Sequence, residues 1–267
     1  MNEFLIGLQF LTRISIVNQT IWTEESFGKS VKYFPAVGAV LGIFYFAIIV
    51  ILNILIVSEF NLITIFTNVQ FPFLKAAVIL ISMAILTGAI HCDGFMDTFD
   101  GLFSGRERDK MLEIMKDSRV GAFGVVSFVM ISIFDFALLS ELANLSTLKL
   151  LSAIYSAPII ARLMMVVTIA KFKYARPEGM GKAFAKFTNR STVIFAAILT
   201  TILLLPLILL FKELILSIAV SIIAALIFTI YFGNFATKKI GGVTGDIYGA
   251  VTTISETIVI MIFLMIN

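Results

Sequence analysis

Apolar runs long enough to cross a bilayer recur along the chain, separated by short polar breaks. They cover about Phe34 to Val57, Phe73 to Ile90, Val120 to Leu139, Leu150 to Ala170, Val193 to Phe211, Leu214 to Phe232 and Ile247 to Ile266. A hydrocarbon core about 30 Å thick needs roughly 20 apolar residues of helix, and lipid makes each crossing satisfy its own backbone hydrogen bonds. The pattern predicts an all-α, polytopic transmembrane helical bundle of about seven spans. Boundaries are soft by several residues, so the count runs from six to eight. Lys212 and Glu213 are the only polar break between the fifth and sixth runs, which predicts a tight hairpin. The stretch Met1 to Val17 is apolar but short and carries Glu3, Gln9 and Arg13. Lacking a basic start and a small-residue cleavage site, it reads as an interfacial or re-entrant helix rather than a signal peptide.

Composition agrees: 60% of the 267 residues are hydrophobic and 14% charged, too apolar for one soluble core. Lysine and arginine alternate by segment. They gather before the first run (Arg13, Lys29, Lys32), at Arg106 to Arg119, at Lys171 to Arg190 and at Lys238 and Lys239, with single lysines (Lys75, Lys149, Lys212) in the intervening segments. The positive-inside rule reads this as a cytoplasmic N terminus, with the long polar loops on the cytoplasmic face of a bacterial or archaeal inner membrane. The net charge of +3 sits in loops beside the membrane, where it suits anionic lipid or a phosphorylated substrate rather than nucleic acid. Cys92 is the only cysteine, so no internal disulfide forms. No repeat or linker divides the chain, which reads as a single integral-membrane domain over residues 1–267. Its oligomeric state has no signature in the sequence.

The segment His91 to Gly101 carries the most chemistry. Asp93, Asp97 and Asp100 stand at i, i+4 and i+7, which places three carboxylates within a roughly 60° arc of one helix face. Their mutual repulsion is relieved by a cation, and an all-oxygen ligand set points to magnesium or manganese. Phe95, Met96 and Phe99 between them are apolar, so a merely solvated acidic face is the poorer explanation. Magnesium keeps waters and binds phosphate oxygens beside one or two carboxylates, so the cluster reads as a diphosphate site.

Other residues offer complementary charge. Arg106, Lys116 and Arg119 are candidate phosphate binders, although Glu107, Asp109, Glu113 and Asp117 are interleaved at helical spacing and equally suit a salt-bridged surface helix. Gly241 to Asp246 holds glycines at 241, 242 and 245; its backbone N–H groups can converge on an anion at Gly245, and Asp246 can complete a metal shell. Arg162, within the fourth run, either pairs with Glu256 or binds substrate phosphate. Asp135 is placed near the far end of the third run, in a structural role. His91, the only histidine, joins the carboxylate face as a base only if the helix begins after it.

With these residues in hand the chain resembles the cobalamin synthase family, also called adenosylcobinamide-GDP ribazoletransferase, over nearly its whole length. The resemblance is carried by Leu8 to Arg13, Phe34 to Gly38, His91 to Gly101, Leu112 to Arg119 with Gly121 and Gly124, Tyr174 to Gly179, and Gly245, Asp246, Gly249 and Ala250. It departs near Thr253, where relatives are expected to carry glutamate; Glu256 stands one turn later. The resemblance implies a magnesium-dependent enzyme at the cytoplasmic membrane acting on adenosylcobinamide-GDP and α-ribazole or its 5′-phosphate. A ribose hydroxyl attacks the phosphorus borne by cobinamide and GMP leaves. It further implies magnesium at Asp93, Asp97 and Asp100 with Asp246, charge offset by Lys116 and Arg119, and the hydroxyl proton taken by a free aspartate or His91.

Two other readings compete with this one. A CDP-alcohol-type phosphatidyltransferase uses an aspartate motif with alanine and arginine where this chain has Asp97 and no arginine. A cation-coupled transporter is expected to place carboxylates near the bilayer midplane and to show repeat symmetry between its halves.

Overall fold

The computed structural model describes residues 3–16, 22–57 and 71–266. Helices build the whole of it: α1 (Glu3–Leu11), α2 (Glu24–Lys29), which passes through a 3₁₀ turn into α3 (Phe34–Val57), α4 (Pro72–Thr87), α5 (Ile90–Leu102), α6 (Arg108–Ile114), α7 (Ala122–Leu145), α8 (Thr147–Lys171), α9 (Met180–Phe187), α10 (Arg190–Leu210), α11 (Leu214–Ile240) and α12 (Gly245–Met265). Among the described residues 6 helical segments are individually long and apolar enough to cross a membrane, and α4 with α5 make a seventh crossing when counted as one broken span. The protein is a multi-pass membrane bundle.

The centre of the bundle is α8. Nearly all of its side chains are buried, and it packs most extensively on α3 and α12. By contrast α7, α10 and α11 show apolar side chains such as Ile133, Ile202 and Ile227 on the outside, where lipid rather than protein covers them. Proline at 158 sits inside α8, tolerated because a fully packed neighbourhood limits the cost of the lost backbone bond.

One end of the bundle gathers the basic loops, and long-range bonds tie them together. Arg108 Nε donates to the carbonyl of Ile240 at 2.9 Å, Lys186 pairs with Glu24 at 2.8 Å, and a parallel bridge joins Tyr174 to Val243. The short N-terminal helix belongs to this end. Ile6, Leu8 and Leu11 are buried against α3 and its preceding turn, and Glu3 pairs with Lys32 at 2.7 Å. Phe10 and Phe27 pack edge-on at 5.0 Å, and Phe27 stacks on Phe184 at 4.4 Å. This aromatic cluster docks α1, α2 and α9 together, so α1 lies against protein. Met1 and Val17, the ends of the predicted segment, lie outside the described residues.

The run from Phe73 to Ile90 is not one straight crossing. It ends at Thr87, and the chain turns by 90° before α5 starts. Gly88 and Ala89 make the turn, both left-handed with φ of 61° and 58°. For alanine that conformation costs roughly 1–2 kcal/mol, and strain of this kind is kept where surrounding structure demands it.

Candidate functional site

The turn at Gly88 sends α5 back along the first half of α12. What allows the approach is Gly94, where a Cβ would stand 2.9 Å from the carbonyl oxygen of Asp246 and 3.3 Å from the Cα of Gly249. With no side chain between the helices, Asp93 on α5 and Asp246 in the first turn of α12 come to line one cavity of about 310 Å³. Tyr174, Arg176 and Gly179 close it from the α8–α9 connection with Gly181 at the start of α9, and Phe10, Met165, Phe184 and Tyr248 supply apolar wall.

The α8–α9 connection is held by backbone bonds. Ala175 N–H donates to Val243 O and Val243 N–H to Lys173 O, each at 2.8 Å. They fix Arg176 over α12, and its Nη2 donates to Asp246 Oδ2 at 2.7 Å while the Thr244 hydroxyl donates to the same oxygen at 3.1 Å. Among the described residues Arg176 Nε is buried and has no partner. A buried guanidinium donor without a partner is costly, so this atom marks a place for an anionic ligand. Burial holds the Tyr174 hydroxyl above its ordinary range, with Arg176 opposing, so it stays a donor at neutral pH.

The predicted site residues separate into groups. Asp93 is exposed to the cavity, and among the described residues no protein group bonds to its carboxylate. Asp97 is half-buried and within electrostatic reach of Asp93, Asp246 and Asp100. Asp100 lies about 10 Å along the helix from Asp93 and is engaged elsewhere: it accepts the backbone N–H groups of Gly121 and Gly124, both at 2.7 Å, at the start of α7. A carboxylate there complements the helix dipole, which gives Asp100 a structural task. Gly245 and Asp246 line the cavity.

The cations of the Arg106–Arg119 loop are not brought to it. Arg106 and Lys116 are exposed and belong to none of the cavity linings described. Arg119 forks onto Asp117 at 3.1 and 2.8 Å, and those bonds hold the Asp117 carboxyl down at about 2. Arg162 pairs with Glu256 inside the bundle, so of its two open roles the structural one is realised. His91 lies within α5, not before it; it is buried, lines the cavity and leaves Nε2 without a partner among the described residues. It also lines a smaller inner cavity of about 80 Å³ with Tyr45, Asp135, Thr253 and Glu256. Asp135 is therefore in the bundle interior rather than near the far end of its span. The sequence alone points to no role for Arg176 or Tyr174 beyond the part that Tyr174 to Gly179 takes in the family resemblance.

Among the described residues no three His, Cys, Asp or Glu side chains converge as a ready-made metal shell. Magnesium does not require one, since it binds through one or two carboxylates plus phosphate oxygens and water. Asp93, and the Asp246 oxygen that Arg176 does not occupy, fit that demand, with Asp97 adding negative charge beside them.

The chain matches the family described as cobalamin-5-phosphate synthase over residues 3–264. It is similar to proteins named adenosylcobinamide-GDP ribazoletransferase. One from Fusobacterium nucleatum is 38% identical over 100% of this chain and 98% of that protein. Another, from Clostridium acetobutylicum, is 35% identical over 97% and 94%, and one from Clostridioides difficile is 35% identical over 100% and 98%. No solved structure matches the chain significantly.

Proposed function

The chain belongs to the cobalamin-5-phosphate synthase family, and from that membership and the chemistry of the cavity we propose that it is a magnesium-dependent adenosylcobinamide-GDP ribazoletransferase. It joins adenosylcobinamide-GDP to α-ribazole or its 5′-phosphate; the family description favours the phosphorylated acceptor. The observation that carries the reading is the pairing of Arg176 with Asp246 in one cavity with the Asp93 carboxylate, where among the described residues the buried Arg176 Nε and the Asp93 carboxylate have no bonding partner. That combination suits a diphosphate with its counter-ion.

A hydroxyl oxygen of the acceptor ribose forms a bond to the phosphorus attached to cobinamide. The bond from that phosphorus to the GMP oxygen breaks, GMP leaves with the electron pair, and the hydroxyl proton passes to the aspartate cluster. Asp93 and Asp246 would hold magnesium, which would neutralise charge on the transferred and leaving phosphate oxygens. Arg176 orients Asp246 through one nitrogen and offers another to a phosphate oxygen. Tyr174 and Tyr248 stand over the same space as hydroxyl donors. Phe10, Met165 and Phe184 keep water from the reacting groups. A cavity of about 310 Å³ is of a size for the diphosphate and a ribose, so the corrin ring lies outside it. The basic end of the bundle, with this cavity, faces the cytoplasm of the inner membrane by the positive-inside rule.

Chelation provides the test. Detergent-purified protein given both substrates should release GMP with magnesium, stop when EDTA is in excess, and recover when magnesium is restored. GMP release unchanged by complete chelation would remove the metal from the account.

A further inference from the structure

Apart from Phe10, the motif Leu8 to Arg13 is left without a task by the reaction above, and a second cleft explains it. We propose that this cleft is the acceptor subsite, in which the Arg13 guanidinium holds the 5′-phosphate of the incoming nucleotide; the proposal rests on the transferase reading.

A reaction between two large substrates needs two bays meeting at the reacting phosphorus. The second cleft, about 410 Å³, is lined by Gln9, Thr12, Arg13, Gly88, Ile90 and Asp93, and shares Phe10, Ile90 and Asp93 with the first. The two meet at Asp93, which lines both. Their charge differs: the first holds the carboxylates and an arginine already bonded to one of them, whereas Arg13 forms no ion pair among the described residues. Among the described residues the only carboxylate lining the second cleft is Asp93 at the shared edge. A phosphate monoester carries about −1.5 to −2 charge near neutrality and is suited to the guanidinium fork.

Arg13 is presented rather than left loose. The buried Thr12 hydroxyl donates to Leu8 O at 2.7 Å and accepts the N–H of Ile14 at 3.1 Å. The Arg13 N–H donates to Leu86 O at 2.7 Å, fastening the segment to the end of α4. Its side chain lies over Gly88, where a Cβ would collide with Arg13 Nε. Gly88 thus serves the left-handed turn and the seat of the arginine together. The following helix starts at Ile90 with no side-chain cap, which adds a positive pole to the same cleft. On a ribose the 5′-phosphate and the ring hydroxyls lie at opposite ends, so a phosphate held at Arg13 directs the hydroxyls towards Asp93 and the first cavity.

The experiment is equilibrium binding of α-ribazole 5′-phosphate and of α-ribazole to the full-length protein in detergent, for wild type, Arg13→Ala and Arg13→Lys, with GMP release recorded alongside. Wild type should bind the phosphorylated form at least tenfold tighter than the free nucleoside. Arg13→Ala should lose that preference, a change of about 10- to 100-fold for one charge-assisted fork, and Arg13→Lys should keep part of it. A preference that survives in Arg13→Ala, or an equal loss for both ligands in both variants, would overturn the subsite. If wild type shows the Arg13-dependent preference but releases no GMP, the subsite stands and the transferase reading falls. If GMP release proceeds and the preference ignores Arg13, the reading stands and the subsite falls.

Discussion

Replacing Asp93 with asparagine should lower GMP release by about 10²- to 10³-fold, the scale lost when one electrostatic contact to a developing charge is removed. The protein should still be made and inserted in the membrane. The side chain keeps its shape, and among the described residues no protein group bonds to its carboxylate, so the substitution breaks no protein contact. Asp100→Asn is the informative contrast. It weakens the acceptor for Gly121 and Gly124, so it acts on the seating of α7 before it acts on chemistry. Near-normal turnover in Asp93→Asn would take that residue out of the site.

Arg162→Met should destabilise the bundle by about 3–5 kcal/mol, the cost of leaving one member of a buried pair uncompensated. Arg162 is fully buried on α8, and Glu256 on α12 is its ion-pair partner. The double variant Arg162→Met with Glu256→Met should recover most of the loss, because two apolar side chains need no partner. Unfolding in detergent, followed by denaturant titration, measures both. Equal destabilisation in the single and double variants would show that the pair does not act as a unit.

Much of the fold was legible because lipid imposes long apolar runs, and those runs mark where helices cross. The break at Gly88 and Ala89 was not: small residues in an apolar run read as helix interior, and nothing local marks an alanine with φ of 58°. The acidic face was legible from spacing alone, but Asp100 shows what spacing misses. Its partners lie 21 and 24 residues further on, and helical periodicity carries no information about them. The same holds for Arg176, which meets Asp246 across 70 residues. Arg106, Lys116 and Arg119 drew attention by charge; their interleaved acids were the better guide, as Arg119 and Asp117 show. Glu256 is legible from the sequence as a partner for Arg162, since an arginine inside a bundle seeks a carboxylate there.

The most direct test of the central claim is to supply the purified protein with magnesium, adenosylcobinamide-GDP and α-ribazole 5′-phosphate, and to quantify GMP together with the mass of the corrinoid formed. The account predicts one GMP for each corrinoid carrying the joined nucleotide, and no GMP when the acceptor is omitted. No GMP from a folded preparation with any divalent metal, or GMP formed equally without acceptor, would contradict it.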